Sequence, residues 1–216
     1  MFRYLRVALP VALAALAAPA SATIVGGAIT SGSAFDQGGT FIKLTVPFTE
    51  SDPDSTVGNN NFQMPNLYGF DEIQNIAVPS TLPVDLGTAP VAGDIVASHY
   101  IIFDPLRSTT MSGYVDFDSD IYGVVTQTNT FLASDALANP GVTYLSPAAR
   151  GLESGDEVRI EGTRLWLDGW RASTPGDVVR VFTRESPGAE VPLPASLPLL
   201  IAGLAGLGLL RRARKG

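Results

Sequence analysis

The run Ile95-Val-Ala-Ser-His-Tyr-Ile-Ile-Phe103 decides the fold class of this chain. Most of its residues are apolar, and isoleucine, valine, tyrosine and phenylalanine are the types that favour strands. A strand that is buried on both faces is apolar throughout and does not alternate with polar residues. Asp104-Pro105 ends the run, because proline lacks the N–H that a sheet ladder needs. The sequence therefore predicts a central strand here, to which other strands must pair.

Other runs of strand type lie on both sides of this central strand, separated by Gly, Pro, Asn and Asp. Residues 157–161 alternate clearly, since Val158 and Ile160 face one side. Residues 131–139 are predicted to form one or two helical turns with Ser134 as the N-cap. Further strands are predicted at 40–46, 114–118, 122–128 and 178–183. Many short strands and few helices predict a mainly β protein, an antiparallel β-sandwich or jelly roll, and disfavour a parallel α/β fold.

Two stretches between these runs are predicted to be loops. Residues 50–61 are polar and rich in turn-forming types, so they are predicted to be a loop in solvent. Residues 62–75 contain more aromatic residues than a flexible linker would. We therefore expect an ordered loop that packs Tyr68 and Phe70 against the body.

The N-terminus has the pattern of a secretory signal peptide. Arg3 and Arg6 precede an apolar run over residues 7–18, and Ala20 and Ala22 form a cleavage site of small residues. The secretion machinery would cut after Ala22. Export would then deliver the rest of the chain out of the cytoplasm.

The C-terminus has three zones in a fixed order: a proline-rich break at 191–194, an uncharged apolar run at 197–210, and a basic tip at 211–215. The apolar run would form a helix of about 21 Å, shorter than the ~30 Å hydrocarbon core of a bilayer. The positive-inside bias would hold the tip at the cytoplasmic surface, and the N-terminal side of the helix would face outward. The basic residues of the tip are Arg211, Arg212, Arg214 and Lys215.

The order of these zones resembles the PEP-CTERM sorting signal of Gram-negative bacteria that make exopolysaccharide. Val191, Pro192 and Pro194 match the family's Val-Pro-Glu-Pro motif, and Leu193 stands where glutamate is commoner. The resemblance implies that exosortase, a membrane protease-transpeptidase, recognises and removes residues 191–216. The protein would then pass through an inner-membrane intermediate to the cell surface or the extracellular matrix. An unprocessed C-terminal tail anchor is the alternative for the same residues.

The body of the chain also resembles an uncharacterised group of PEP-CTERM proteins that has no established activity. The predicted organisation is a signal peptide (1–22), a β-sandwich ectodomain (23–185), a linker (186–190) and the sorting signal (191–216). The resemblance implies nothing about mechanism. It is carried by residues 66–72, 97–105, 116–124, 141–145 and 173–183.

The body is strongly acidic once the two ends are set aside. All twenty-one Asp and Glu residues lie between Thr23 and Glu190, against eight Lys and Arg. Such a domain repels nucleic acid, and it repels anionic polysaccharide unless divalent cations bridge the two. The chain has no cysteine, so an exported domain of this sequence is stabilised by packing, or by bound ions, without disulfides.

Asp116, Asp118 and Asp120 are the candidate metal ligands, because their spacing of two residues places all three carboxylates on one face of an extended strand. Calcium is the ion that would neutralise them, and a solvated strand face is the alternative. The stretch is not an EF-hand, because Ile121 stands where that loop requires glycine. Asp52 and Asp54, in the polar loop, are weaker candidates.

His99 is the only histidine, which excludes a site with two histidines. It is predicted to fill a strand position with one hydrogen bond. A catalytic triad would have to recruit neighbours such as Ser98 and Asp94 or Asp104, and the chain has no G-x-S-x-G motif.

Trp166 and Trp170 are predicted to lie on opposite faces of a hairpin that turns at Asp168-Gly169. Trp170 would then be in the core. Trp166 would lie on the outer face, either as a platform for a sugar ring or held by a cation–π contact with Arg171.

Three functions are compatible with the sequence. The first is a non-enzymatic surface or matrix protein with a structural or interaction role in an envelope rich in exopolysaccharide. The second is a carbohydrate-binding module, for which Trp166 is the supporting residue. The third is an extracellular hydrolase, for which no pair of carboxylates can be singled out from the sequence.

Overall fold

The structure is a computed structural model that describes residues 22–173 and 175–185. Two single-turn segments of 3-10 helix, Asp135–Leu137 and Pro147–Ala149, supplement the regular elements. These elements, in chain order, are β1 (Ile24–Ser31), α1 (Ser33–Asp36), β2 (Phe41–Lys43), β3 (Thr56–Val57), β4 (Leu67–Asp71), β5 (Ile76–Ala77), β6 (Leu86–Gly87), β7 (Ile95–Phe103), β8 (Thr109–Phe117), β9 (Ile121–Val125), α2 (Thr128–Ser134), β10 (Thr143–Tyr144), β11 (Glu157–Glu161), β12 (Arg164–Ala172) and β13 (Asp177–Arg184). The protein is mainly β, as the sequence predicts.

The strands form two principal sheets. A four-stranded sheet has the order β1-β8-β12-β11, and a larger sheet has the order β2-β4-β7-β13-β9-β6, with β5 also paired to β7. Neighbours in these sheets are antiparallel except β2 and β4, which are parallel. Strands β3 and β10 form a separate parallel pair.

The larger sheet is apolar on both faces. One face packs against the four-stranded sheet through a cluster that includes Ile101, Val179 and Leu165. The other face packs under loops and α2 through a second cluster that includes Tyr100 and Phe131. Two sheets with a shared core are consistent with a β-sandwich. Residues 95–103 are central in it, as predicted, because β7 contributes alternate side chains to both clusters and pairs with β4 and β13.

Both stretches predicted to be loops contain strands. Within 62–75, β4 pairs with β7 and buries Phe70, which is fully shielded from solvent. Within 50–61, β3 pairs with β10 and is also buried. The prediction of loops was wrong in both stretches, because pairing with distant strands decides their structure, but Tyr68 and Phe70 are packed against the body, as predicted for 62–75.

Strand β1 was not predicted, because Gly26-Gly27 weakens the strand pattern. The structure gives a reason for one of these glycines. A Cβ atom at Gly27 would lie 2.7 Å from the ring of Phe41 and 2.8 Å from the carbonyl oxygen of Tyr114. Gly27 therefore allows β1 to approach both neighbours closely. The helical turns predicted at 131–139 are present but begin earlier: α2 covers Thr128–Ser134, and Ser134 occupies the N-cap position of the 3-10 turn Asp135–Leu137 without a side-chain capping hydrogen bond.

The predicted hairpin at Asp168-Gly169 is a bulge inside one continuous strand, β12. Leu167 pairs with Gly113 and Trp170 with Met111, so β12 carries one extra residue at this point. Gly169 has φ +68°, the left-handed conformation that a bulge of this kind requires. The residues predicted to share a face do share one. The extra residue of the bulge puts Leu167 and Trp170 on the same side of the sheet, as a two-residue turn would have done. Trp170 is fully buried, as predicted.

We expect Gly169→Ala to destabilise the fold by about 1 to 2 kcal/mol, because a Cβ at positive φ is strained. The only neighbour a Cβ would meet there is the carbonyl oxygen of Gly155, at 3.9 Å, so the cost is conformational and not steric. Gly26→Ala is the matched control, since a Cβ there would meet nothing within 4 Å and its φ is not positive. Urea unfolding of the two variants measures the difference, and equal stability would argue against the bulge.

Candidate functional site

The outer face of the four-stranded sheet carries a cluster of aromatic and charged side chains around Trp166. Strand register builds it, because Trp166 of β12 pairs with Tyr114 of β8 on one side and with Arg159 of β11 on the other. Alternation along each strand puts all its members on the face away from the core. We call this set the Trp166 cluster; its members are Tyr114, Asp116, Arg159, Glu161, Arg164 and Trp166.

Arg164 is held by two kinds of contact within the Trp166 cluster. Its Nε and Nη2 atoms donate to the two carboxylate oxygens of Asp116, at 2.6 and 2.8 Å. Its guanidinium group lies 3.8 Å from the centroid of the Tyr114 ring. The hydrogen bonds to Asp116 raise the pKa of Arg164. A bidentate pair stacked on a ring fixes the orientation of the guanidinium group.

Trp166 is partly exposed and is held by arginines, as one of the two predicted alternatives requires. The arginines are Arg159 and Arg164, with guanidinium carbons 5.2 and 5.1 Å from the indole ring. The predicted partner was Arg171, whose backbone N–H instead donates to Asp156. The indole N–H of Trp166 donates to Glu161 at 2.8 Å. This side chain is therefore oriented before any ligand arrives.

An open groove of about 490 Å³ adjoins the Trp166 cluster. Guanidinium, carboxylate and hydroxyl groups line it beside an indole ring, which is the mixture that sugar hydroxyls and a sugar face can contact. Hydrogen bonds from Trp166 and Arg159 lower the pKa of Glu161. A general acid needs the opposite shift, so Glu161 in this arrangement is suited to accept hydrogen bonds. Its lining residues are Val25, Asp116, Phe117, Glu161, Thr163, Arg164 and Trp166.

The three aspartates predicted to share a strand face are separated by the end of β8 at Phe117. Asp116 is paired with Arg164. Asp118 accepts the backbone N–H of Thr23 at 2.8 Å. Asp120 is exposed in the turn that leads to β9. Within residues 22–173 and 175–185, no group of three or more His, Asp or Glu side chains is arranged to hold a metal ion.

His99 is fully buried and makes two hydrogen bonds, where one was predicted. Its Nδ1 lies 2.7 Å from Asp71 and its Nε2 lies 2.9 Å from Thr183. Ser98, Asp94 and Asp104, the predicted triad neighbours, are not the hydrogen-bond partners of the His99 ring. Burial raises the pKa of Asp71, but hydrogen bonds from His99, Lys43 and Thr23 outweigh it and hold that pKa well below its usual range. The order Asp-His-Thr resembles a triad, yet Thr183 is also fully buried, so solvent does not reach the hydroxyl group.

A second polar network, which the sequence reasoning missed, is buried under the opposite face of the larger sheet. Arg180 donates from Nε and Nη2 to Glu72 at 2.8 and 3.0 Å, and both side chains are 0% exposed. Glu72 also accepts from Ser98 and Tyr144, each at 2.6 Å. Arg180 donates further to Ser134. The available signal was an arginine in the middle of the apolar run 178–182.

Several predicted site residues lie outside the described part of the chain. These are Ala20 of the cleavage site, the sorting motif Val191, Pro192, Leu193 and Pro194, and the basic residues Arg211, Arg212, Arg214 and Lys215. The predicted membrane helix at 197–210 also lies there. Ala22, at the beginning of the described residues, is buried.

We expect Arg180→Leu to destabilise the fold by about 3 to 5 kcal/mol, because it leaves the Glu72 carboxylate buried without its partner. Arg184→Leu is the control on the same strand, because Arg184 is exposed; we expect a change within about 1 kcal/mol. In Arg180→Leu with Glu72→Gln, part of the loss should be recovered. A double variant that loses the sum of both single effects would contradict an interaction between these two side chains.

Among the described residues, no helix has the length and hydropathy that a membrane crossing requires. Searches of protein-family models, of curated proteins and of solved structures found no match to this chain.

Proposed function

We propose that the chain is an exported cell-surface or matrix protein, sorted by a PEP-CTERM-like signal and processed by exosortase, with a structural or interaction role in an envelope rich in exopolysaccharide. The observation that carries this proposal is the order of zones at 191–215, combined with the signal-peptide pattern at 1–22. Neither pattern is typical of a cytoplasmic enzyme. We propose no reaction for the ectodomain.

The position of β1 supports the proposed N-terminal cleavage. This strand begins at Ile24, so a cut after Ala22 leaves every described strand intact. The cut would also turn the backbone nitrogen of Thr23 into an ammonium group. That nitrogen lies 2.8 Å from a carboxylate oxygen of Asp118, so the new charge would meet an opposite one.

The sorting proposal predicts two processed ends. Mass spectrometry of the protein from its native envelope should find Thr23 as the first residue and no peptide from 197–215. Replacing all four basic residues of 211–215 by serine should leave the chain unprocessed or wrongly oriented, because the positive-inside bias is lost. Arg107→Ser, in the ectodomain, is the control. Unchanged maturation of the neutralised tip, or an ectodomain reporter on the cytoplasmic side, would contradict the proposal.

We also propose, as a second candidate, that the groove beside the Trp166 cluster binds carbohydrate. The supporting observation is an oriented indole ring at the edge of a groove of about 490 Å³ with charged and hydroxyl groups. The acidic body makes a neutral polysaccharide the favoured ligand, because an anionic chain would be repelled. This candidate can be combined with the first, since a matrix protein has to contact the polymer around it.

We expect Trp166→Ala to weaken retention on a polysaccharide by about tenfold or more, because the aromatic contact is lost. Arg171→Ala, on the exposed side of the same strand, is the control and should bind normally. Affinity electrophoresis and a glycan array measure both variants, with thermal melting as the check on folding. Equal retention of the two variants would rule out the groove, and no retention of the unsubstituted protein on any glycan would rule out this second function.

Calcium binding at Asp116, Asp118 and Asp120 stays a proposal. Asp116 already has a bidentate partner in Arg164, so an ion there would compete with that pair.

A further inference from the structure

Asp177, the first residue of β13, is a buried carboxylic acid with no ion-pair partner among the residues that the structure describes. The residue is 1% exposed, and its Oδ2 atom makes no hydrogen bond with any described residue. A buried ionised carboxylate without compensation costs several kcal/mol, so this position needs an explanation.

A cleft of about 210 Å³ lies beside Asp177. Glu153 lines the same cleft from the loop before β11, and Thr128, whose hydroxyl group donates to the carbonyl oxygen of Arg150, lines it from the start of α2. Backbone from two loops completes the wall. The lining is polar and small, with four residues without large side chains: Ala148, Ala149, Gly151 and Gly176.

The charged groups near Asp177 are mostly negative. Burial, together with the charges of Asp156 and Glu153, raises the pKa of Asp177 to about 8. Arg150 is the one cation that lines the cleft, but its Nη1 and Nη2 atoms donate to Asp135, both at 2.7 Å. The guanidinium charge is therefore matched by Asp135 and does not neutralise Asp177.

We propose that this cleft binds a hard divalent cation, of which calcium is the one abundant outside cells, with the carboxylates of Asp177 and Glu153 as its charged ligands. Calcium accepts carboxylate, carbonyl and water oxygens in flexible numbers, so two carboxylates suffice when backbone oxygens and waters complete the shell. The site is distinct from the Asp116, Asp118 and Asp120 site predicted from the sequence, and it does not depend on the sorting signal.

The cation would replace the proton that Asp177 otherwise holds. A carboxylic acid whose pKa is about 8 in the folded protein, against an ordinary value of 3.8, binds more protons in the folded state between these two pH values. Stability then falls as the pH rises from about 4 to about 8 in the absence of the ion. A cation that binds only the folded, ionised form restores that stability.

Thermal melting of the full chain in mild detergent at pH 8 tests the site. With excess calcium relative to EDTA, we expect the melting temperature to rise by about 3 to 6 °C. Asp177→Asn should abolish this rise, and should melt at or above the unsubstituted protein in EDTA, because the amide carries no charge. Glu153→Gln, at an exposed position, should reduce the rise without affecting folding.

Asp116→Asn and Glu157→Gln are the matched controls and should keep the full rise. No rise in the unsubstituted protein overturns the proposal, and so does an equal rise from sodium chloride at the same ionic strength, since that is screening. A rise that survives both Asp177→Asn and Glu153→Gln but is lost in Asp116→Asn places the ion at the other site. Isothermal titration of calcium into the same variants gives a second readout, in which Asp177→Asn should lose the binding heat.

Discussion

The buried pair of Arg180 and Glu72 is the interaction on which the packing of the larger sheet depends. Both side chains are 0% exposed, so neither charge is stabilised by water. Their mutual attraction offsets the desolvation only if the remaining donors and acceptors are also satisfied. They are: Ser98 and Tyr144 donate to Glu72, and Arg180 donates to Ser134 and Asp135. This pair therefore ties β4, β7 and β13 to α2 and to the loop around β10, and it permits only one register among them.

Asp71, which precedes Glu72 in the sequence, makes its contacts on the opposite face of the same sheet. Glu72 lies on the face that is covered by loops and α2, whereas Asp71 accepts hydrogen bonds from His99 and from the backbone N–H of Ile24 in β1. His99 in turn contacts Thr183 of β13. Glu72 thus connects the larger sheet to the loops and α2 that cover one face, and Asp71 connects it to the four-stranded sheet on the other face. Because alternate residues of a strand face opposite ways, a shift of one residue in β4 would exchange these two acids and leave both unpaired.

The sequence predicted those elements whose pattern is local. Residues 95–103, 157–161 and 178–183 show continuous apolar character or strict alternation, and they are strands. The pairs β3–β10 and β2–β4 are parallel contacts between distant segments, and short runs such as Thr56–Val57 carry no local signal for them. Trp166 was identified on its correct face, because alternation decides the face, but its arginine partners depend on the register between β11 and β12. Arg180 and Asp177 were not identified from the sequence for a related reason. Whether a charged residue is buried depends on distant segments that pack over its strand, and the local pattern does not show them.

The distribution of charge limits what the body can contact. Five of its basic side chains, Lys43, Arg150, Arg159, Arg164 and Arg180, are paired with carboxylates of the body itself. Internal pairing leaves Arg107, Arg171 and Arg184 as the exposed basic side chains without an ion pair among the described residues, too few to offset the excess acid, so a polyanion is repelled. Neutral polymers are not subject to this repulsion, and the proposed carbohydrate site at the Trp166 cluster, where each arginine is already matched by a carboxylate, offers them an aromatic ring. An anionic polymer would be repelled unless a cation lay between it and the acid. Among the described residues, Asp104 and Asp177 are buried acids without an ion pair; backbone N–H groups donate to Asp104, whereas Asp177 lines a cleft.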